Sequence, residues 1–519
     1  MTLRDMGSYC FSTTWRRSRA APVLVGLMLA ACSEQESGQA VTAEPVVVAI
    51  PGRITPPADP DSGVDWRTWS VETFEAARRL QRPVLLYAAR TGCDGLFAGD
   101  DPLARWYAET RYIPVRIDPD RHPAVARRYA AAGCPSLSIL LESGQEIVRA
   151  TDIRRENVPL LLSRIHRHLQ KRPEVVKKEA EQNRAARQSG RLHGVSVAAV
   201  QAAVVAAYDS HFGGFGGPFK FPETQVLAFL QELTTSGGHD DAARMVGRTL
   251  DGLLASPLWS GEVKAMSHTP DWQSPRYEAF AADQAGLLMV LGRAAEGSAN
   301  YRRAGQQLFD TIATQWYDRE GQAFRSRRLA GPADVTDLVI HADANALLIR
   351  ACLQTGEVLD RQATARSLAV AAGETLLEHL VAADGAVRHT QVDAAPVGLL
   401  RDQMLVAMAF GDLARHTGRD DFAAGALKVR RWADDHLWDD RSGAFADAPA
   451  RSWPASWDAA FDDSDDRGPA GTAAAGEALA AAGDTLRALR VLRGKRLYAA
   501  ADRRHSASAR QLLILESSE

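Results

Sequence analysis

Charge of either sign in excess is the first thing this chain lacks. Its 61 Lys and Arg stand against 64 Asp and Glu, a formal net charge of -3 over 519 residues. With no basic stripe interleaved with aromatics, a nucleic-acid partner is excluded. The apolar run Ala20 to Ala31 is too short for a comfortable membrane span. A phosphate cradle is missing as well: the glycines of Gly213 to Gly217 follow a helical stretch instead of joining a strand to a helix, so they serve turn formation and close backbone packing. Around Asp462 to Asp466 there is no spaced oxygen-ligand loop with its glycine, which leaves a solvated acidic loop. His166 and His168 stand two apart on a helix and cannot share a face. Neither a metal nor a cofactor is therefore expected. What remains is 46% hydrophobic and 24% charged, ordinary for a globular chain long enough to hold two or more domains.

The amino terminus is the most specific segment. Arg16, Arg17 and Arg19 precede the apolar run, which closes in Leu29-Ala30-Ala31-Cys32. A positive stretch followed by a short apolar one reads as a secretory signal. Its ending resembles the lipobox of bacterial lipoproteins, in which the cysteine is lipidated and becomes the first mature residue. Several acyl chains on Cys32 would hold the protein to a membrane, because each buried methylene contributes ~0.8 kcal/mol. Residues 33–63 are rich in Ser, Gln, Glu, Pro and Gly and form a tether that cannot bury enough surface to fold. The expected location is membrane-anchored and facing the periplasm; by the same resemblance, Ser33 favours the outer membrane. Of five cysteines, Cys93, Cys134 and Cys352 then remain in a compartment where disulfides persist.

From residue 64 to about 170, helical and strand periods alternate. Helices are expected at Ser70 to Leu80, Leu103 to Thr110, Pro123 to Ala132 and Glu156 to Leu169, and strands at 83–87, 113–118, 136–141 and 145–150. Elements of this length imply a mixed sheet with helices on both faces. The order resembles a thioredoxin fold. Cys93 follows the first strand, where that fold keeps its redox motif, and Pro135 before a strand resembles its cis-proline. A partner three residues from Cys93 is missing, so dithiol exchange of the usual kind is excluded. By the resemblance, Cys134 lies close to Cys93, and the two either form a non-standard disulfide or are simply small buried residues.

A charged linking helix covers about 171–192, and beyond it strands almost vanish. Apolar residues recur at helical spacing in ten segments between Val195 and Ala481. A repeat overlies them: Tyr208-Asp209 to Phe215, Tyr317-Asp318 to Phe324, and Trp438-Asp439 to Phe445, with weaker copies near Gly261 and Gly385 and at Leu497-Tyr498. In each, an aromatic ends a helix, Asp and Gly make the turn, and a second aromatic packs back. Repetition at the length of a helical hairpin implies six hairpins closed into an (α/α)6 toroid over residues 193–519.

Phe212 to Pro222, with its glycines and closing Lys220-Phe221-Pro222, and Asp271-Trp272-Gln273-Ser274-Pro275-Arg276-Tyr277-Glu278 through Asp283-Gln284 resemble a family of bacterial and animal thioredoxin-domain proteins that includes the spermatogenesis-associated one. Leu400-Arg401-Asp402-Gln403 and Gly468-Pro469-Ala470-Gly471 echo two further family segments. The resemblance implies an α/β thioredoxin-like domain followed by a six-hairpin glycosidase-like barrel. Where the family has His and Lys around the glutamate, this chain has Arg276 and Ala279.

Toroids of this kind imply a sugar-holding cavity with carboxylates as acid and base and aromatics as platforms. The catalytic candidates are Glu278, Asp283 and Asp402, with Cys93 as a thiol candidate; Trp272, Arg276, Phe215 and Lys220 are the binding candidates. Hydrolysis needs two carboxylates converging across a glycosidic bond, and epimerisation a proton-transfer pair, often including histidine. Three uses stay open: a carbohydrate-active or carbohydrate-binding toroid, a thiol-redox protein using Cys93, and a catalytically inactive scaffold.

Overall fold

The computed structural model describes residues 63–90, 95–97, 101–129, 135–151, 153–188, 195–237, 239–329, 335–337, 339–392, 395–440, 442–449, 469–493 and 503–517. Cys32, Cys93, Cys134, the acidic loop 462–466, Gly468 and the pair Leu497-Tyr498 lie outside them. Among the described residues no helix is long and apolar enough to cross a membrane.

The first folded segment is a four-stranded mixed sheet of order β2-β1-β3-β4, with β1 Val84–Ala88, β2 Ile113–Ile117, β3 Ser136–Leu140 and β4 Glu146–Thr151. Strand β1 runs parallel to β2 and antiparallel to β3, which is antiparallel to β4. All five β1 residues are buried because helices cover both faces. Val84, Leu86 and Ala88 pack with Phe74 and Ala77 of α1 (Val71–Leu80) and Val125 and Tyr129 of α3 (Pro123–Tyr129). The alternate residues Leu85 and Tyr87 pack with Ala104 and Ala108 of α2 (Pro102–Arg111) and Leu162 and Ile165 of α4 (Val158–Lys171). Caps set the helix starts: Ser70 Oγ accepts from the Thr73 amide, and Asp101 accepts from Leu103 and Ala104 ahead of Pro102. The elements thus run within a few residues of the expected bounds. Helix α5 (Pro173–Gln188) follows and touches α4 and β4.

Among the described residues twelve α-helices follow: α6 Val197–Ala207, α7 Thr224–Thr235, α8 Asp240–Leu254, α9 Ala281–Ala294, α10 Ala299–Thr311, α11 Ala342–Thr355, α12 Gln362–Thr375, α13 Leu400–Thr417, α14 Asp420–Leu437, α15 Gly471–Ala481, α16 Thr485–Arg493 and α17 Ser506–Glu516. The odd-numbered members touch in succession, α7 to α9, α11, α13, α15 and α17, and α17 returns to α7. They form a closed inner ring, an (α/α)6 toroid. Their composition explains the placement. Helix α13 buries nearly every residue from Leu400 to Leu413, as an all-round apolar helix must. Outer helix α14 buries only a stripe through Phe422, Gly425, Val429, Trp432 and Ala433. Helices α16 and α17 were not among the ten segments expected.

The repeated turns take one shape. Tyr208 bridges Phe215, Tyr317 pairs with Phe324, and Trp438 pairs with Phe445, with ring centroids 5.7, 5.2 and 5.0 Å apart. In each, the Asp carboxylate accepts from an amide two or three residues on: His211 for Asp209, Gly321 for Asp318 and Ser442 for Asp439. A polar side chain at the fourth position of each of three inner helices then holds the returning strand. Gln284 exchanges two hydrogen bonds with the Val263 backbone (2.9 and 2.8 Å), and Asn345 does the same with Phe324 (2.7 and 2.9 Å). Gln403 accepts from the Val387 amide and donates to Gly385 O and Val429 O. Gly398, just before α13, has φ +76°, and a Cβ there would lie 2.2 Å from the Trp432 ring. Only glycine lets this approach to α13 pass Trp432 in that conformation.

Candidate functional site

Three successive inner helices, α9, α11 and α13, begin close to buried charged and imidazole groups. Glu278 precedes α9, although not as the helical residue expected: Glu278–Phe280 is a short strand paired antiparallel with Arg327–Leu329. That pairing brings Arg327 to Glu278, with Nη1 3.3 Å from Oε1. Arg276 Nε lies 3.3 Å from Glu278 Oε2. A third guanidinium comes from the α/β domain, where Arg90, just past β1, sets Nε 3.5 Å from Glu278 Oε1 and donates through Nη1 to Asp120 at 3.1 Å.

His341 directly precedes α11, and Asp343 sits in its first turn. His341 bridges Thr390 across an antiparallel pair, and its ring lies 5.2 Å from that of His389, nearly perpendicular. His389 Nδ1 lies 2.9 and 3.1 Å from the two oxygens of Asp402, in the first turn of α13. Its Nε2 lies 2.8 Å from the main-chain carbonyl of Asp120, in the loop after β2. The Asp120 carbonyl can only accept, so Nε2 donates to it, and an ionised Asp402 favours a proton on Nδ1 as well. Burial opposes the charged ring, but the Asp402 and Asp343 carboxylates outweigh it and lift the His389 pKa to about 9. Burial likewise opposes the Asp343 carboxylate, yet Arg401, His389 and His341 bring its pKa below the usual value. Arg401 Nε stands 3.2 Å from Asp343.

The β2–α3 loop of the α/β domain therefore covers this centre. Two of its residues carry the mark of that position. Burial, reinforced by Asp120, raises the Asp118 pKa to about 6. Burial, with His389 nearby, pushes His122 down to about 4. Apolar contact completes the docking: Leu399 and Ala448 of the toroid join the Phe74–Tyr129 cluster, and Arg127 lies 3.7 Å from Asp447.

No family model matches the chain. It is similar to an uncharacterised protein of Caenorhabditis elegans, 23% identical over 259 residues, which cover 43% of this chain and 35% of the relative. The chain thus spans about a third of the length of the curated relative it matches. Among solved structures it is similar to cellobiose 2-epimerase from Bacillus thermoamylovorans (10% identical, TM-score 0.48, 61% of this chain and 96% of that one). It is also similar to D-mannose isomerase (10%, TM-score 0.49, 62% and 96%) and to a family 76 glycoside hydrolase from Bacteroides thetaiotaomicron (9%, TM-score 0.45, 62% and 77%). The toroid itself is read from the closure of the six inner helices.

Of the residues singled out from the sequence, the structure brings Glu278, Arg276 and Asp402 to this end of the ring. Asp283 is buried in the first turn of α9. The other binding candidates belong to the packing of the glycine loop. Trp272 is 1% exposed at φ 67°, and its Nε1 donates to Phe212 O at 3.0 Å while its ring lies against Gly214. With no open face it presents no platform to a sugar. Phe215 is buried against Tyr208, and the buried Lys220 Nζ bonds Asp209 at 2.8 Å. Pro135 stands just ahead of β3. Cys352 is buried within α11, where burial lifts its thiol to about 12, out of range for redox chemistry. Arg90, Asp120, Arg327, His341 and His389 were not anticipated.

Proposed function

We propose that this chain is an exported, lipid-anchored protein whose helical toroid acts on carbohydrate at the centre formed by Glu278, His341, Asp343, His389 and Asp402. In this reading the α/β domain is thioredoxin-like and works as the cap of that centre. The observation that carries it is the placing of four of these groups at the starts of three consecutive inner helices, with His389 brought against Asp402 from the segment before α13. Guanidinium, imidazole and carboxylate groups at such density match the hydroxyls of a sugar. A rearrangement such as isomerisation or epimerisation fits better than hydrolysis. Cleavage needs two carboxylates free to face one glycosidic bond. Here three arginines hold Glu278, and His389 engages both oxygens of Asp402. For a sugar to reach His389, the Asp120 segment has to move aside.

The test is to incubate the full chain with a panel of aldoses, ketoses and disaccharides and follow new anomeric signals by NMR. Turnover of at least one sugar is expected, falling about a hundredfold or more in His389→Ala. Neither turnover nor saturable binding of any neutral sugar would sink the reading. That result would favour the capped, inactive scaffold, for which the Asp120 carbonyl on His389 already speaks. Anchoring is tested separately: labelled palmitate should enter the wild-type chain and not Cys32→Ser, and equal labelling of both would exclude the lipid on Cys32.

A further inference from the structure

We infer that His341, Asp343 and His389 form a binding site for one divalent first-row transition metal ion, with the main-chain carbonyl of Asp120 as fourth ligand. One ligand atom from each of the three side chains lies within 4.8 Å of those of the other two. Zinc bonds of ~2.0–2.1 Å to nitrogen and oxygen put tetrahedral ligand atoms ~3.3 Å apart, so small rotations of the side chains close the set. A fourth oxygen donor is close by. His389 Nε2 and Asp120 O stand 2.8 Å apart, a hydrogen-bond distance that has to open by about 0.5 Å to reach the tetrahedral spacing. Ligation takes the neutral imidazole, so binding the ion releases the Nε2 proton to solvent and turns the Asp120 carbonyl from that proton to the ion.

What lies behind the ligands supports the same assignment. Asp402 engages His389 Nδ1 at 2.9 Å, which leaves Nε2 as the ligating atom. Carboxylate–histidine–metal triads are built this way, the outer carboxylate fixing the ring and raising its basicity. Two imidazole nitrogens with carboxylate and carbonyl oxygens suit Zn2+, Co2+ or Ni2+ better than Ca2+ or Mg2+. No metal was expected from the sequence, because ligands at 341, 343 and 389, with a carbonyl from residue 120, have none of the close spacing that marks a metal motif. The ion would bind the toroid and the β2–α3 loop of the α/β domain together, so its binding should stabilise the docked arrangement.

The inference does not depend on the substrate and is tested without one. Chelator-stripped full chain is titrated with Zn2+ against a chromophoric competitor. One site per chain is expected, with a rise in melting temperature on loading. His341→Ala and Asp343→Asn should each weaken that site by about a hundredfold or more, and Asp402→Asn by about tenfold or more. X-ray absorption of the zinc-loaded wild-type chain should count two imidazoles, and this reading stands whether or not the variants fold. A zinc site untouched by both His341→Ala and Asp343→Asn, or a spectrum with fewer than two imidazoles, would overturn the inference. So would failure of the wild-type chain to bind zinc.

Discussion

Arg350→Ala is expected to lower the unfolding free energy by about 3–5 kcal/mol, the usual cost of breaking a buried ion pair from one side. Arg350 projects from α11 with Nε 3.0 Å from Asp412 of α13 and Nη2 2.6 Å from Glu477 of α15, tying three successive inner helices together. Asp412 keeps hydrogen bonds from Gln354 and Arg415 when the guanidinium is removed, but Glu477 loses its direct partner. The penalty comes from the charge left behind. Replacing all three residues by apolar ones of similar volume should therefore cost far less than Arg350→Ala alone. Acid supplies a second readout. Burial works against the Glu477 carboxylate, but Arg350 and Arg510 outweigh it and bring the pKa below 4.5. The stabilisation from a depressed carboxyl is complete above its unfolded value and is lost as pH falls through the folded one. Denaturant midpoints should drop below about pH 4.5 in the wild-type chain, and the drop should be shallower in Arg350→Ala. An unchanged midpoint at pH 7 would show that the network contributes nothing to the ring.

Much of this architecture was legible because the signals were local. Strand β1 read as buried because Val84 to Ala88 are apolar without alternation, and α13 read as a helix because apolar residues occupy its whole circumference. The aromatic–Asp–Gly–aromatic turns were visible because each is completed within eight residues. Helix α16 escaped because Thr485–Arg493 is only nine residues long and a third of them are arginine. In α17 the small and polar residues Ser506 to Arg510 mask the apolar turn after them. Glu278 was misread as helical because its strand partner, Leu329, lies far along the chain.

The site was half legible for the same reason. Glu278 and Asp402 were found through local motifs. Their partners Arg327, His389, Arg90 and Asp120 come from other loops, with 49 residues between Arg327 and Glu278 and 269 between His389 and Asp120. One signal was present and unused. Asp283-Gln284 and Asp402-Gln403 stand at the same point of α9 and α13, and the corresponding stretch of α11 is Asp343-Ala344-Asn345, which begins two residues after His341. Aligning the inner-helix starts would have brought out His341. His389 lies eleven residues before α13, on the returning segment that crosses His341, and only tertiary structure joins the two.

Glu278→Gln should cost about 3–5 kcal/mol, and the loss should appear first at the cap. The carboxylate carries three guanidiniums, two of them buried, and after substitution Arg90 and Arg327 retain Asp120 but lose the charge that Glu278 set against them. Gln offers this group one acceptor oxygen in place of two and cannot balance its charge. Because Arg90 belongs to the α/β domain, the uncompensated charge favours separating that domain from the toroid over unfolding the ring. Hydrogen exchange should therefore quicken in the 118–122 loop while the inner helices keep their protection. A double-mutant cycle of Glu278→Gln with Arg90→Met isolates the bond between the domains, with a coupling of about 0.5–3 kcal/mol expected for residues in one ion network. Coupling within error of zero would mean that the apolar contacts of Leu399 and Ala448 hold the cap unaided. Positive coupling with faster exchange confined to the loop would make Glu278 the latch between the cap and the toroid. Substrate access to His389 would then be limited by release of Arg90.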